Sequence, residues 1–267
     1  MRTALRDSGS VDGEAYVVRV SPAAVHTLGL VVGFCITSIF SLATTTHALP
    51  QAFPPKQALT LVEASALVDR LQGRTAVPLV VDDRVVHYMN QYLISRSGRA
   101  RLQSGLQQVG TYRALIRSAA ENHGTPRELW AVAFVESGIK NSREKISNKN
   151  LAHASLKSNG AAGLWQLTPA TARSFGLVVN DNIDDRLSPE KSTQAAMLYF
   201  KKLFHQFNDW HLVIAAYNKG AKTLENQLSK HHTHDVWILD NLPGSRHYVS
   251  QVMAAIILLT PTLLDSN

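Results

Sequence analysis

Three times between Gly124 and Pro189 a hydroxyl residue is followed at once by proline: Thr125-Pro126, Thr168-Pro169 and Ser188-Pro189. Proline suits the first position of a helix, where its missing N–H costs nothing, and a Ser or Thr just before it can cap the free amides. Each pair therefore reads as a helix start. Thr125-Pro126-Arg127-Glu128 adds the glutamate of a capping box. Gly124 can close the preceding helix, from about Tyr112 through Leu115 and Ile116, and Gly176 can stop the one begun at Thr168. After Ser188, the residues Ala196, Tyr199, Phe200, Leu203, Phe204 and Phe207 form one apolar stripe at helical spacing. Asp209 can cap a further helix carrying Trp210, Val213, Ile214 and Tyr217, and a last one follows Ser245 through Met253, Ile256 and Ile257 to Leu264. The best strand candidate, Ala76 to Val81, is demoted by Pro78. No period of 20 to 50 residues repeats, which excludes solenoids and propellers. The expected fold is all-α, with a main domain over 115–264 and a linker and small helical preface over 49–114.

The first 48 residues read differently. Leu28 to Ala43 carries no charge and is short for a bilayer span, which takes about 20 apolar residues. It fits the apolar region of an export signal, with Thr46-His47-Ala48 as a cleavage site, or else an uncleaved anchor in the inner membrane. Residues 1–48 are thus expected to be a signal peptide or signal anchor, and the chain to be exported to a bacterial periplasm or cell envelope. They hold three basic and three acidic side chains, so the remainder keeps the whole formal charge of +7. Such a surface favours polyanions. A nucleic-acid partner rests on charge alone and conflicts with export, so none is expected. One cysteine, Cys35, excludes a disulfide framework and any Cys-rich metal site. His231, His232 and His234 lack helical ligand spacing and read as a solvated loop cluster.

One carboxylate stands apart. Glu136 follows Leu129-Trp130-Ala131-Val132-Ala133-Phe134-Val135, a run apolar around the whole helix and so expected to be buried. Desolvation of a carboxyl in such surroundings favours its neutral form, which suits a general acid. Downstream, Gly160-Ala161-Ala162-Gly163-Leu164-Trp165-Gln166 sets two glycines, an indole and an amide before a helix, and Ala216-Tyr217-Asn218 puts a phenol and an amide at a helix end. Trp165 is either a platform for a sugar ring or core filler; Asn218 is either a ligand or a helix cap.

In this order, Glu136-Ser137-Gly138, Gly163-Leu164-Trp165-Gln166, Ser192-Thr193 before Ala195-Ala196, Trp210, Ala216-Tyr217-Asn218 and Arg246-His247-Tyr248-Val249 resemble the lytic murein transglycosylases of the soluble-lytic-transglycosylase (SLT) family. The likeness is greatest to the membrane-bound lytic murein transglycosylase D group and runs from about Val77 to Leu259. It implies a lysozyme-like helical domain acting on peptidoglycan glycan strands at the β-1,4 bond between N-acetylmuramic acid and N-acetylglucosamine. It further implies 1,6-anhydro product ends, Glu136 as the sole general acid/base, and Gln166, Tyr217 and Asn218 as substrate-binding residues. No metal or organic cofactor is implied.

The chain departs from the family pattern twice. Between Glu136 and Gly163 lies a longer stretch than usual, with a polar insertion at about 141–159, where Ser155 and Ser158 are candidates for a family serine. Gly244-Ser245 stands where the family has Glu-Thr. Two alternatives therefore stay open: a lysozyme-type hydrolase of the same fold, and a low-activity peptidoglycan-binding component of an envelope or secretion apparatus.

Overall fold

A computed structural model describes residues 58–141, 160–242 and 245–264. Residues 1–48, expected to be an export signal or anchor, the bulk of the insertion with Ser155 and Ser158, and Gly244 lie outside the described residues. All described residues fall in one compact unit, Pro54–Asn267.

The chain runs through α1 (Leu61–Leu71), α2 (Asp83–Ile94), α3 (Arg96–His123), α4 (Trp130–Ser137), α5 (Pro169–Ser174), α6 (Pro189–Phe207), α7 (Trp210–Lys219), α8 (Ala221–Lys230), α9 (Val236–Asp240) and α10 (Tyr248–Leu264). Among the described residues the only β pairing is two isolated bridges, Ala162 with Leu167 and Val179 with Asp184. The all-α expectation holds.

Helix α10 is the hub. Val249, Val252, Met253, Ala254, Ala255, Ile256, Ile257, Leu258 and Leu259 are all buried, and α1, α2, α4, α7 and α9 pack around them. A helix apolar on every side is stable only where neighbours cover every side. Helix α3 lies against α2 and α6, and α6 against α7. Helix α4 is the second buried rod: Trp130, Ala131, Val132, Ala133 and Phe134 are 4% exposed or less.

Local chemistry sets most helix starts as expected. The Thr168 and Ser188 side chains cap α5 and α6, and Asp209 accepts from the His211 and Leu212 amides at α7. A full capping box forms at α1, where Thr60 and Glu63 exchange bonds. Two expectations need correction. Thr125 caps nothing: its hydroxyl contacts Met197 Sδ at 3.1 Å, and the chain enters α4 through a 3-10 turn, Arg127–Leu129, without a side-chain cap. Burial of Thr125 against α6 takes the hydroxyl away from the helix end. The helix expected from Tyr112 begins instead at Arg96 and crosses residue 114 unbroken, so preface and main body share one 28-residue rod. Pro78 does keep Ala76 to Val81 out of any ladder; the segment is pinned by a 2.8 Å bond between His211 Nε2 and the Pro78 carbonyl.

Candidate active site

Glu136 sits in the last turn of α4, one residue before the helix ends at Ser137. Gly138, in the left-handed region at φ 66°, turns the chain, and the amides of Gly138 and Ile139 cap the Phe134 and Ala133 carbonyls. Only a residue tolerant of that conformation closes a helix so abruptly. From the other side the Arg101 guanidinium of α3 donates to the Phe134 carbonyl at 2.9 Å and to that of Val135 at 2.5 Å. The end that carries Glu136 is thus fastened from both directions.

The carboxylate is half-buried, and Tyr248 at the start of α10 donates its phenol to Glu136 Oε1 at 2.7 Å. Tyr248 is 7% exposed. Burial first, then the nearby Glu136 charge and the bond to it, push the Tyr248 phenol well above its usual range. Burial and then Glu136 do the same to Tyr217. Both phenols therefore stay protonated at neutral pH. For the carboxylate, burial and a phenol donor act in opposite senses: one favours the neutral form, the other the charged form.

The Gly160–Leu167 turn closes a second side. Its Ala162–Leu167 bridge brackets Gly163 at φ 79° and Gln166 at φ 48°. Gln166 Nε2 donates to the Gly163 carbonyl at 2.7 Å, which fixes the amide across its own turn. Ser137 Oγ reaches the Leu164 carbonyl at 2.8 Å, tying the turn to the residue after Glu136. Tyr217 donates to the Trp165 carbonyl at 2.8 Å, tying it to α7. The Tyr217 ring stacks on Phe200 of α6 at 4.7 Å. Glu136, Gln166 and Tyr217 are thus brought to one place by carbonyls of a single turn, and Asn218 follows Tyr217 with an exposed side chain.

Trp165 is no sugar platform. It is fully buried, packs edge-on against Phe200, and donates its indole N–H to Thr193 at 2.9 Å. Asp184 and Asp185, which could suggest a second catalytic carboxylate, are structural: Asp184 holds the Arg186 guanidinium, and Asp185 pairs with Lys191 at 2.7 Å. Among the described residues no group of three His, Cys, Asp or Glu side chains is placed to hold a metal. Tyr248 is the participant that spacing alone did not single out; its only signal was its place in the Arg246-His247-Tyr248-Val249 landmark.

Gly163 carries the tightest backbone constraint here. A Cβ at that position would lie 1.8 Å from the Arg186 carbonyl oxygen, and φ is left-handed besides. Gly163→Ala is expected to cost about 3 kcal/mol, combining left-handed strain with overpacking. Gly176→Ala is the control: φ is 83° but nothing lies within 4 Å of the added carbon, so about 1 kcal/mol is expected. Thermal melts of the two variants check the difference.

Alkaline titration tests the buried phenols. Tyr248 loses its proton near pH 10 in the unfolded chain and well above it in the folded one. The unfolded state then binds fewer protons, so stability present below pH 10 is lost as pH rises past it, by up to about 1.4 kcal/mol per pH unit for each phenol. Tyr248→Phe is expected to flatten the fall in melting temperature between about pH 10 and 11 by one such contribution.

A helical domain built on two buried rods, with a lone half-buried carboxylate at the end of one, has the organisation of the lysozyme-like folds. Residues 113–239 match the transglycosylase SLT domain family. It is 29% identical over 178 residues to membrane-bound lytic murein transglycosylase D of Escherichia coli K12, covering 65% of this chain and 36% of that protein. It is 31% identical over 134 residues to a putative tributyltin chloride resistance protein of Alteromonas sp. M-1, covering 50% and 55% of the two chains. It is 33% identical over 118 residues to peptidoglycan transglycosylase gp16 of Escherichia phage T7, covering 43% and 8%. The chain thus spans little more than a third of the length of the lytic murein transglycosylase D it matches.

Proposed function

We propose that this protein is a lytic transglycosylase that cleaves the β-1,4 bond between N-acetylmuramic acid and N-acetylglucosamine in peptidoglycan, leaving 1,6-anhydromuramic ends. The observation that carries the reading is the placement of Glu136: at the end of a buried helix, half-open to solvent, and held at one oxygen by a phenol. The match of residues 113–239 to the SLT family and the names of the murein and peptidoglycan transglycosylase relatives support the substrate class.

In this mechanism the Glu136 carboxyl gives its proton to the glycosidic oxygen as the bond from that oxygen to the muramyl anomeric carbon breaks. The substrate's own acetamido oxygen supports the carbon that is left electron-poor, the task a second carboxylate performs in ordinary glycosidases. The Glu136 carboxylate then takes the proton of the muramyl 6-hydroxyl, whose oxygen closes on the anomeric carbon. One proton leaves Glu136 and one returns, and water is not consumed. Tyr248 acts as a positioning residue: its phenol aims one carboxyl oxygen and stabilises the anionic half of the cycle. Gln166, Tyr217 and Asn218 hold the sugar beside it. The glycan strand is the partner, and the site of action is the periplasm or cell envelope, reached by the export segment at 1–48.

Tyr248→Phe is expected to lower kcat by roughly ten- to a hundredfold with KM little changed, since a bond to the reacting carboxylate is lost and no sugar contact is. Steady-state release of muropeptides from purified sacculi checks it. The reaction type itself is read from mass spectra of the products. Ends lighter by one water support the transglycosylase; reducing muramic ends assign the site to the hydrolase of the same fold.

A further inference from the structure

Outside the site, charge is unevenly distributed on α3. From Arg84 through Ala120 the chain has six arginines and no aspartate or glutamate. Two are engaged in the fold, Arg84 with Asp82 and Arg101 with the end of α4. Arg96, Arg99 and Arg117 are exposed, and helical geometry sets them within about 60° of one another around α3 and along about 30 Å of its length. Arg113, half-exposed, falls on the same side. Arg99 also donates to the Ile94 carbonyl and Arg117 stands 4.0 Å from Glu121 in an exposed pair, and neither contact uses up a five-donor guanidinium.

Apolar side chains are exposed at one end of this row. Ile94, two residues before Arg96, is 38% exposed, and Leu61 and Val62 in the first turn of α1 are 43% and 77% exposed. The Asn90 side chain brings the two places together, since its oxygen takes the Leu59 amide at 2.7 Å and its nitrogen gives to the Leu59 carbonyl at 2.9 Å. The described chain therefore enters beside the last turn of α2, next to the start of the arginine row. Upstream in the sequence, Leu28 to Ala43 is the uncharged apolar stretch, separated from Ala58 by 14 residues. A chain of that length reaches at most about 50 Å. While the stretch is in a bilayer, this end of the domain is held close to the lipid surface at high effective concentration.

We propose that the arginine face of α3, with Ile94, Leu61 and Val62 at its end, docks on an anionic lipid surface. Guanidinium groups pair with lipid phosphates, and the three apolar side chains enter the headgroup boundary. A wall polymer would satisfy the charges but leave the apolar cluster without a role. This docking is independent of the glycan chemistry, and its test does not read activity.

The test is co-sedimentation of the full chain with vesicles of phosphatidylcholine alone and with about 30 mol% phosphatidylglycerol, across a salt series. An apolar leader contributes equally to both, so their ratio isolates the electrostatic contribution, and the arginine variant below assigns it to α3. Binding to the anionic vesicles is expected to exceed binding to the neutral ones by more than tenfold at low salt and to converge on it as salt rises. Each arginine at such a surface is worth about fivefold in partitioning. The triple variant R96Q/R99Q/R117Q is therefore expected to lose most of the excess on anionic vesicles and keep wild-type binding to neutral ones. Val62→Ser lowers binding to both. The three arginines are exposed, so an unchanged melting temperature is expected, and the salt series on the wild type stands as evidence by itself. Equal binding of wild type to the two vesicle types overturns the proposal. So does a triple variant that binds anionic vesicles like wild type but fails on purified sacculi, which would give the face to the wall polymer.

Discussion

Glu136→Gln is expected to release muropeptides from sacculi at least about a thousandfold more slowly than wild type, with its melting temperature within a few degrees. The amide keeps the size of the carboxyl and can still accept from the Tyr248 phenol, so packing and the 2.7 Å bond survive. It can neither give a proton to the glycosidic oxygen nor take one from the 6-hydroxyl, and both halves of the proposed cycle fail together. Soluble product is measured by liquid chromatography with mass detection, and fold by circular dichroism. Sacculus binding is measured on the same samples and is expected to be retained. If wild type and variant both bind sacculi and neither releases product, the protein is a wall-binding component and the enzymatic proposal is lost. Equal release by both would also end it, since another group would then carry the proton.

How much of this site was legible before the fold depends on how local each determinant is. Helix starts at Thr168, Ser188 and Asp209 were legible because a cap is settled within four residues. The burial of α4 was legible because no face of Trp130 to Phe134 offers a polar residue. The full length of α3 was not. Its first half is rich in Arg, Gln and Gly, and Gly98, Gly105 and Gly110 look like breaks. At Gly105 the reason is tertiary: a Cβ there would lie 2.5 Å from the Phe134 ring, so the glycine lets two helices approach closely. Trp165 shows the same limit from the other side. Its sequence neighbourhood left a ligand platform and a core position both open, and only the packing decides: Thr193 and Phe200, both on α6, take it into the core. Tyr248 meets Glu136 across 112 residues of chain, and only the packing of α10 on α4 makes that contact. The candidate residues could be named one by one, but the hydrogen bonds that hold them together could not.

The largest stability effect is expected at Arg186, a residue remote from catalysis in sequence. Arg186 is fully buried, and its guanidinium forks onto Asp184 at 2.8 and 2.9 Å. The remaining donors reach the Gly160 carbonyl at 2.6 Å and that of Leu167 at 3.1 Å, the two ends of the turn that carries Gly163 and Gln166. Arg186→Met keeps the volume but leaves a carboxylate and two carbonyls short of donors. Removal of one partner from a buried pair costs about 3–5 kcal/mol, most of it the uncompensated charge left behind. For a domain of this size that lowers the melting temperature by roughly 10 °C. Arg186→Lys restores the charge but not the fork, so an intermediate loss is expected. The double variant Arg186→Met with Asp184→Asn removes the stranded charge and is expected to recover part of the stability without recovering activity. Activity stays low because the turn no longer presents the Leu164 and Trp165 carbonyls to Ser137 and Tyr217, the bonds that set Glu136 and the phenol in place. Differential scanning calorimetry on the four proteins reads the first effect, and muropeptide release at a temperature where all are folded reads the second. A melting temperature for Arg186→Met within 2 °C of wild type would mean that the turn is held by something other than this guanidinium.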